Sequence, residues 1–395
     1  MDKAVVLGVG MTKFGKYLNQ SFKQLSNSVI DEALQDAEID KLDIQAAFVS
    51  NVMAGSIWGQ DSIRGQVFLS ESGLQGIPVH NVENACASGS SAIQLAKMAV
   101  ESGMHDVVLV LGVEKMIHPN KSKSFDAFQG ATDVENFPKE LEGEGESKKQ
   151  SMFMNLYAEE AQRYMDKYGL TIETLSKVAV KNSYNGSLNP NAHYQKANSL
   201  EAIMTSRLIS TPLRLLMCSP LSDGAAATII CSEKYAKKHV REMIYIKSSV
   251  VLSGQKAMDN EVNSVTKAAT IAYDQAGLGP KDLGVVEVHD AAVSGELWAY
   301  EQLQLCEEGE AGSMIEEGTT EISGKIPVNT SGGLISRGHP IGATGIAQLA
   351  EVYWQLKGEA GDRQIKNKPK VGLTQNVGGF LYGYNGAVSV HIFER

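Results

Sequence analysis

The chain has 395 residues, 43% of them hydrophobic and 21% charged, which excludes a disordered chain, a coiled coil and a collagen-like fibre. At roughly 100–200 residues per domain the length suggests two or three structural units. With 36 basic against 46 acidic residues the net charge is −10. Such a surface repels nucleic-acid phosphates and anionic membranes, so a polyanionic ligand has to be held by a local basic pocket or by backbone amides.

Residues 4–8 read as a short buried strand running into a turn with Gly8, Gly10 and Gly15. This start lacks the basic residues and long apolar run of a signal peptide, and no apolar run approaches the ~20 residues of a membrane span, so a cytoplasmic location is expected. Apolar spacing through Phe22, Leu25, Val29, Ile30 and Leu34 predicts a helix over 21–37. A strand is expected at 46–52, a helix at 65–72, a strand at 79–82 ending just before Cys86, a helix at 90–103 and a β-type run at 107–112. This alternation predicts an α/β protein with a mostly parallel sheet covered on both faces.

Residues 117–212 differ. They are polar, carry an acidic stretch at 133–146 that reads as a solvated loop, and predict two helices at 152–168 and 172–185. The segment reads as an inserted loop domain between a first unit (1–116 with 213–243) and a second unit (244–395). Strands return at 225–232 and 244–251, followed by a helix at 265–276, a strand at 285–288, helices at 295–305 and 345–356, and strands at 371–374 and 387–393. The stretches beginning at Cys86 and at Gly338 share one design: a small-residue turn opens a helix and closes on Gln94-Leu95-Ala96 or Gln348-Leu349-Ala350. Their matching places in the two units argue for an internal duplication.

None of the four cysteines lies in a C-x-x-C pair, so metal spacing is absent, and four are too few for a disulfide scaffold. Cys86 departs from the default of a small buried hydrophobe. Placed at a helix start among small neighbours, its thiolate is expected to be stabilised by free amides and its pKa lowered, making it a nucleophile. His339 sits on a glycine-dense turn, where glycines permit unusual dihedrals and close backbone approach to a ligand, and its imidazole can take the thiol proton. His289 closes an apolar strand, a place from which side chains often line a ligand crevice. A Gly378-Gly379 loop can supply amides to an oxyanion hole together with the amide of Cys86. His80, His105, His118, His193, His239 and His391 are read as surface or packing residues.

These residues identify a resemblance. Gly8 through Gly15, Asn84 through Gly89, Tyr157 through Ala161, Asn189-Pro190, Pro220 through Ala226, Val288-His289-Asp290 and the run at Gly338-His339-Pro340 resemble the thiolase superfamily, sterol-carrier-protein-X type, over the whole chain. The resemblance implies a five-layered αβαβα fold of two duplicated halves with an inserted loop domain, a homodimer core, acyl-CoA and CoA as substrates, and no permanently bound cofactor or metal. It implies that Cys86 is acylated, that His339 activates it and serves one oxyanion hole, that His289 orients a water or carbonyl there, and that the amides of Cys86 and Gly379 form the other hole. The CoA tail is expected against the inserted segment.

The chain departs from the family at one point. Relatives carry a second acid/base cysteine where this chain has Asn376 or Ala291, and neither can move a proton at neutral pH. Glu296 is a candidate substitute, although a solvated helix-start carboxylate is the plainer expectation. The pattern His289-Asp290-Ala291 followed by Gly295-Glu296-Leu297 resembles thiolases of bulky or substituted acyl-CoAs, among them the thiolase subunit acting on benzoylsuccinyl-CoA. Relatives of that kind work with a separate zinc-ribbon and OB-fold subunit. A condensing acyltransferase, a retro-aldolase of the steroid side-chain type and a non-catalytic acyl-CoA carrier are the alternatives.

Overall fold

The computed structural model describes residues 2–136, 152–240, 242–256, 262–381 and 383–395; residues 137–146 of the acidic stretch lie outside them. The strands are β1 (Ala4–Met11), β2 (Ala46–Ser50), β3 (Val79–Val82), β4 (Val107–Lys115), the small hairpin β5 (Leu208–Ser210) and β6 (Leu213–Arg214), β7 (Asp223–Ser232), β8 (Ile244–Ser253), β9 (Val285–Glu287), β10 (Val371–Leu381) and β11 (Tyr384–Glu394). Apart from the hairpin they run in one order, β3-β2-β4-β7-β1-β8-β11-β10-β9.

The two ends of that order repeat one another. In the first half β1 pairs antiparallel with β7, β7 antiparallel with β4, β4 parallel with β2, and β2 parallel with β3. In the second, β8 pairs antiparallel with β11, β11 antiparallel with β10, β10 parallel with β9, and Val286 of β9 bridges in parallel to Val328. Along the strand order the halves join at Val5 opposite Tyr245 and Val6 opposite Ile244. This is an α/β fold in which two halves repeat one strand pattern. The sheet is mixed, not mostly parallel, because the last strand of each half returns between the first strand and the parallel set.

Alternation along the strands builds five layers. On β4, Val107, Leu109, Leu111 and Val113 pack with Leu25, Val29 and Ala33 of the helix Phe22–Ala37, whose start is fixed by a capping box between Ser21 and Gln24. Val108 and Val110 face the other way, onto Ala92 and Ala96 of the helix Ser88–Glu101 and Ile346 and Leu349 of the helix Ile341–Lys357. In the second half Val388, Val390 and Ile392 pack on Val265, Ala268 and Ala272 of the helix Ser264–Ala276, while Phe393 turns to the central layer. The helix Ile341–Lys357 leaves only Trp354 and Lys357 partly exposed; its polar stripe, Thr344, Gln348, Glu351 and Gln355, is buried and hydrogen-bonded within the protein.

The two central helices touch backbone to backbone at their starts. A Cβ on Gly345 would stand 2.5 Å from the amide nitrogen of Ser90, and one on Gly89 would stand 3.1 Å from the carbonyl oxygen of Gly342. The close approach expected at these glycines is thus made to the other half of the chain. The helix predicted at 65–72 ends at Phe68; the hydroxyls of Ser70 and Ser72 fold back on the carbonyls of Val67 and Leu69 and compete with helical bonding. Among the described residues no helix is long and apolar enough to cross a membrane.

Gly345→Ala puts a methyl group into the helix–helix contact, where backbone atoms cannot yield. It should destabilise the protein by about 1–3 kcal/mol, read as a lower urea midpoint at unchanged slope.

Candidate active site

Cys86 stands two residues ahead of the helix Ser88–Glu101, on a turn in which Ala85 takes φ 47°. Local bonds lock that turn: Ala87 N–H donates to the Asn84 carbonyl at 3.0 Å, the Ser88 hydroxyl to the Ala85 carbonyl at 2.6 Å, and the Asn84 side-chain amide to the Ser91 hydroxyl at 2.8 Å. β10 passes directly over it; a Cβ on Gly378 would stand 2.1 Å from the Asn84 carbonyl oxygen and 3.1 Å from the Cys86 nitrogen. The next residue, Gly379, takes φ 67°, and its N–H and that of Cys86 both reach the Cys86 sulfur. The Gly-Gly segment expected as a loop is therefore the continuation of β10, paired with β11 on its far side.

His339 and His289 face one another edge to face, with ring centroids 5.0 Å apart. The Cys86 sulfur and one ring nitrogen from each histidine lie within 4.8 Å of one another. The three predicted side chains come together.

Hydrogen bonds set both histidine tautomers. The Thr344 hydroxyl donates to the Pro340 carbonyl at 3.0 Å and so accepts from His339 Nδ1–H at 2.7 Å. The Asn376 amide donates to Gln348 Oε1 at 3.1 Å, and its Oδ1 accepts from His289 Nδ1–H at 2.7 Å. Gln348 in turn donates to the Gln375 carbonyl at 3.1 Å, while Gln375 Oε1 accepts the His289 backbone N–H at 3.0 Å. Each imidazole keeps Nε2 without a proton. Thr344, Gln348 and Gln375 escaped the sequence reading because nothing in spacing marks an amide or hydroxyl that acts through a neighbour. Asn376 orients His289 from a fully buried position.

The electrostatics reverse one expectation. Burial pushes the Cys86 thiol up to about 12, helped by the carboxylates of Glu114 and Glu83 and opposed by the amides of Cys86 and Gly379. Desolvation outweighs the helix start. Burial, His289 and Arg337 hold His339 well below the ordinary imidazole value, and burial holds His289 at about 4. The resting pair is a neutral thiol beside a neutral imidazole.

Two buried carboxylates frame the site without entering it. Glu114, at the end of β4, accepts from the amides of Val52, Met53 and Gly342 and from the side chain of Asn51. It thereby ties the first half to the start of the helix behind His339, and burial raises it to about 7. Glu296 is neither a solvated carboxylate nor a base at the cavity. It is fully buried, paired with Lys181 at 2.6 Å, and accepts from Asn182, Asn329 and Tyr300.

Cys86, His289, His339 and Ala291 line a cavity of about 1080 Å³. Lys16, Arg64, Lys121 and Arg207 also line it, against the carboxylates of Glu83 and Glu160, so the cavity is locally basic inside an acidic chain. His193, read as a packing residue, lines it too, with Nδ1 2.9 Å from the Ser222 hydroxyl.

Residues 4–199 match the thiolase N-terminal domain, and residues 248–394 match the thiolase C-terminal domain-like family. The chain is 41% identical over 409 aligned residues to acetyl-CoA acetyltransferase of Methanothermobacter thermautotrophicus, covering all of both chains. The chain belongs to the thiolase family. This thiolase is also 36% identical to sterol carrier protein 2 of Bos taurus, with all of it aligned to 72% of that protein. A solved structure described as an Ltp2-ChsH2(DUF35) aldolase shares its fold with a TM-score of 0.77 at 23% identity, covering 99% of this thiolase and 97% of that chain. By family this thiolase is an acyl-CoA acyltransferase.

Two measurements check this geometry. Alkylation of Cys86 by iodoacetamide, followed by peptide mass spectrometry, should be slow at pH 7 and still rising above pH 9; a plateau beginning near pH 6 would indicate a thiolate–imidazolium pair and refute the neutral one. Thr344→Val removes the acceptor at His339 Nδ1 and should slow acylation of Cys86 by about 10–100-fold with the fold intact.

Proposed function

We propose that this thiolase cleaves, or in reverse forms, a bulky or substituted β-oxoacyl-CoA through an acyl-Cys86 intermediate, with CoA as acyl acceptor. One observation carries the reading: the Cys86 sulfur and two neutral imidazoles converge within 4.8 Å on the wall of a large cavity. Phe125, Phe128, Phe153 and Trp298 line the same cavity and suit an aryl or other bulky acyl group. An aryl ketone such as benzoylsuccinyl-CoA fits that description.

His339 Nε2 takes the thiol proton as the sulfur attacks the ketone carbon, so ion formation is confined to the moment of reaction. The oxyanion of the tetrahedral adduct is met by the N–H groups of Cys86 and Gly379, already aimed at the sulfur. Breaking the carbon–carbon bond leaves the acyl group on Cys86 and an enolate on the departing thioester, whose oxygen can accept from the Nε2–H that His339 has just gained. CoA then takes the acyl group from Cys86. The basic side chains Lys16, Arg64, Lys121 and Arg207 are placed to meet its phosphates, two of them from the inserted segment.

The assembly we propose is a homodimer core with a separate zinc-ribbon and OB-fold subunit, a reading supported by the family resemblance and by the DUF35 chain named with the structural neighbour. Native mass spectrometry of the protein from its own source should show two copies of this chain with a small zinc-containing chain; a lone monomer refutes this.

Incubation with benzoyl-CoA should add one benzoyl group to Cys86 and release CoA, as read by intact and peptide mass spectrometry. Cys86→Ala should abolish the adduct and lower β-oxoacyl-CoA cleavage by about 10⁴-fold or more. Cleavage without any adduct would assign the site to aldolase chemistry. Binding without turnover would make it a carrier, and an adduct on Cys218, Cys231 or Cys306 would remove Cys86 from its role.

A further inference from the structure

We propose that the phenol of Tyr157 is the acid that delivers a proton to the α-carbon of the departing thioester, in place of the thiol this chain lacks at Ala291 and Asn376. The inference rests on the acyl-Cys86 reading and adds to it the group that completes carbon–carbon cleavage.

Tyr157 belongs to the helix Met152–Tyr168 of the inserted segment and lines the cavity with Cys86, His289 and Ala291. Its ring lies against Trp298, with centroids 5.8 Å apart and planes 9° from parallel. A Cβ on Gly295 would stand 3.3 Å from Tyr157 Cε1 and 2.8 Å from the His289 carbonyl oxygen. That point ties the ring to the His289–Ala291 segment, where relatives place a thiol. The backbone is held as well: the Ser294 hydroxyl donates to the Tyr157 carbonyl at 3.2 Å.

The buried tyrosines spend their hydroxyls on the protein: Tyr164 on Glu301, Tyr273 on the Leu303 carbonyl, Tyr300 on Glu296 and Tyr353 on the Leu7 carbonyl. Among the described residues Tyr157 has no hydrogen-bond partner for its hydroxyl. Tyr157 is partly buried on the cavity wall, so its hydroxyl is left to the cavity. Burial, with the nearby Cys86 and Asp290, raises its pKa above the usual phenol value. The group is therefore protonated at rest and serves as an acid, and Asp290, itself raised by burial and by Glu296, does not compete for its proton.

The proton count closes. When the bond between the Cys86-bound carbon and the α-carbon breaks, its electron pair passes to the α-carbon and the phenol proton bonds there. The phenolate then takes the proton of the incoming CoA thiol. The resulting CoA thiolate attacks the acyl carbon, and the Cys86 sulfur leaves and recovers its proton from the His339 imidazolium. Tyr157 ends as it began.

The test separates acyl exchange, which needs no carbon acid, from cleavage, which does. The probes are benzoyl-CoA with labelled CoA for exchange and 2-methyl-3-oxo-3-phenylpropanoyl-CoA in heavy water for cleavage. Tyr157→Phe should leave Cys86 benzoylation and label exchange within a few-fold of the unmodified protein, and should slow cleavage by about 100-fold or more. The unmodified protein should place deuterium on one face of the propionyl-CoA α-carbon; the variant should lose that preference. Unimpaired cleavage by the variant, or equal loss of exchange and cleavage, overturns the inference while the acyl-cysteine reading stands. Absence of an adduct on the unmodified protein overturns both.

Discussion

The backbone contact between the starts of the two central helices governs the rest of the molecule. Gly89 and Gly345 let the helices Ser88–Glu101 and Ile341–Lys357 meet backbone to backbone, with only the small Ser90 side chain sharing the contact. Cys86 precedes one helix start and His339 the other, so their approach is a property of the whole fold and not of a loop. Glu114 reinforces the contact from below by accepting the Gly342 amide together with donors from the Asn51–Met53 turn. A shift of either half sheet would be felt directly at the sulfur, which explains why so much of the core is spent on holding these layers together.

Desolvation at the site has two effects. It denies Cys86 the thiolate that its helix start would otherwise favour, and it keeps both imidazoles neutral. Oriented bonds replace charge: each histidine gives its Nδ1 proton to a fixed oxygen, so each Nε2 is a ready acceptor. The energy of ionisation then falls in the transition state, where the amides of Cys86 and Gly379 are already in position.

Much of this was legible in the sequence. The helices at 152–168 and 172–185, the strand at 79–82 and the pairing of Cys86 with His339 followed from apolar spacing and from two motifs of like design. What escaped were features that depend on contacts across the chain. The Gly378-Gly379 pair reads as a loop because glycine weakens a strand, yet here the absence of side chains lets β10 lie on the Cys86 turn. Glu296 reads as a surface carboxylate because its partners Lys181, Asn182 and Asn329 are remote in sequence. The pKa of Cys86 departs from what its helix start suggests because that start is local and visible in sequence, whereas desolvation depends on segments remote in the chain, β10 among them.

The repeated strand pairing carries a consequence for origin. Two identical half-length chains arranged with this symmetry would present the same helix start to the shared cavity twice, and a twofold axis would oblige both to bear the same side chain. A nucleophile and its proton acceptor are different groups, so that arrangement could offer two thiols or two imidazoles but not one of each. Fusion of the halves into one chain removes the obligation. Two halves free to differ in sequence are what permits a thiol to face an imidazole here.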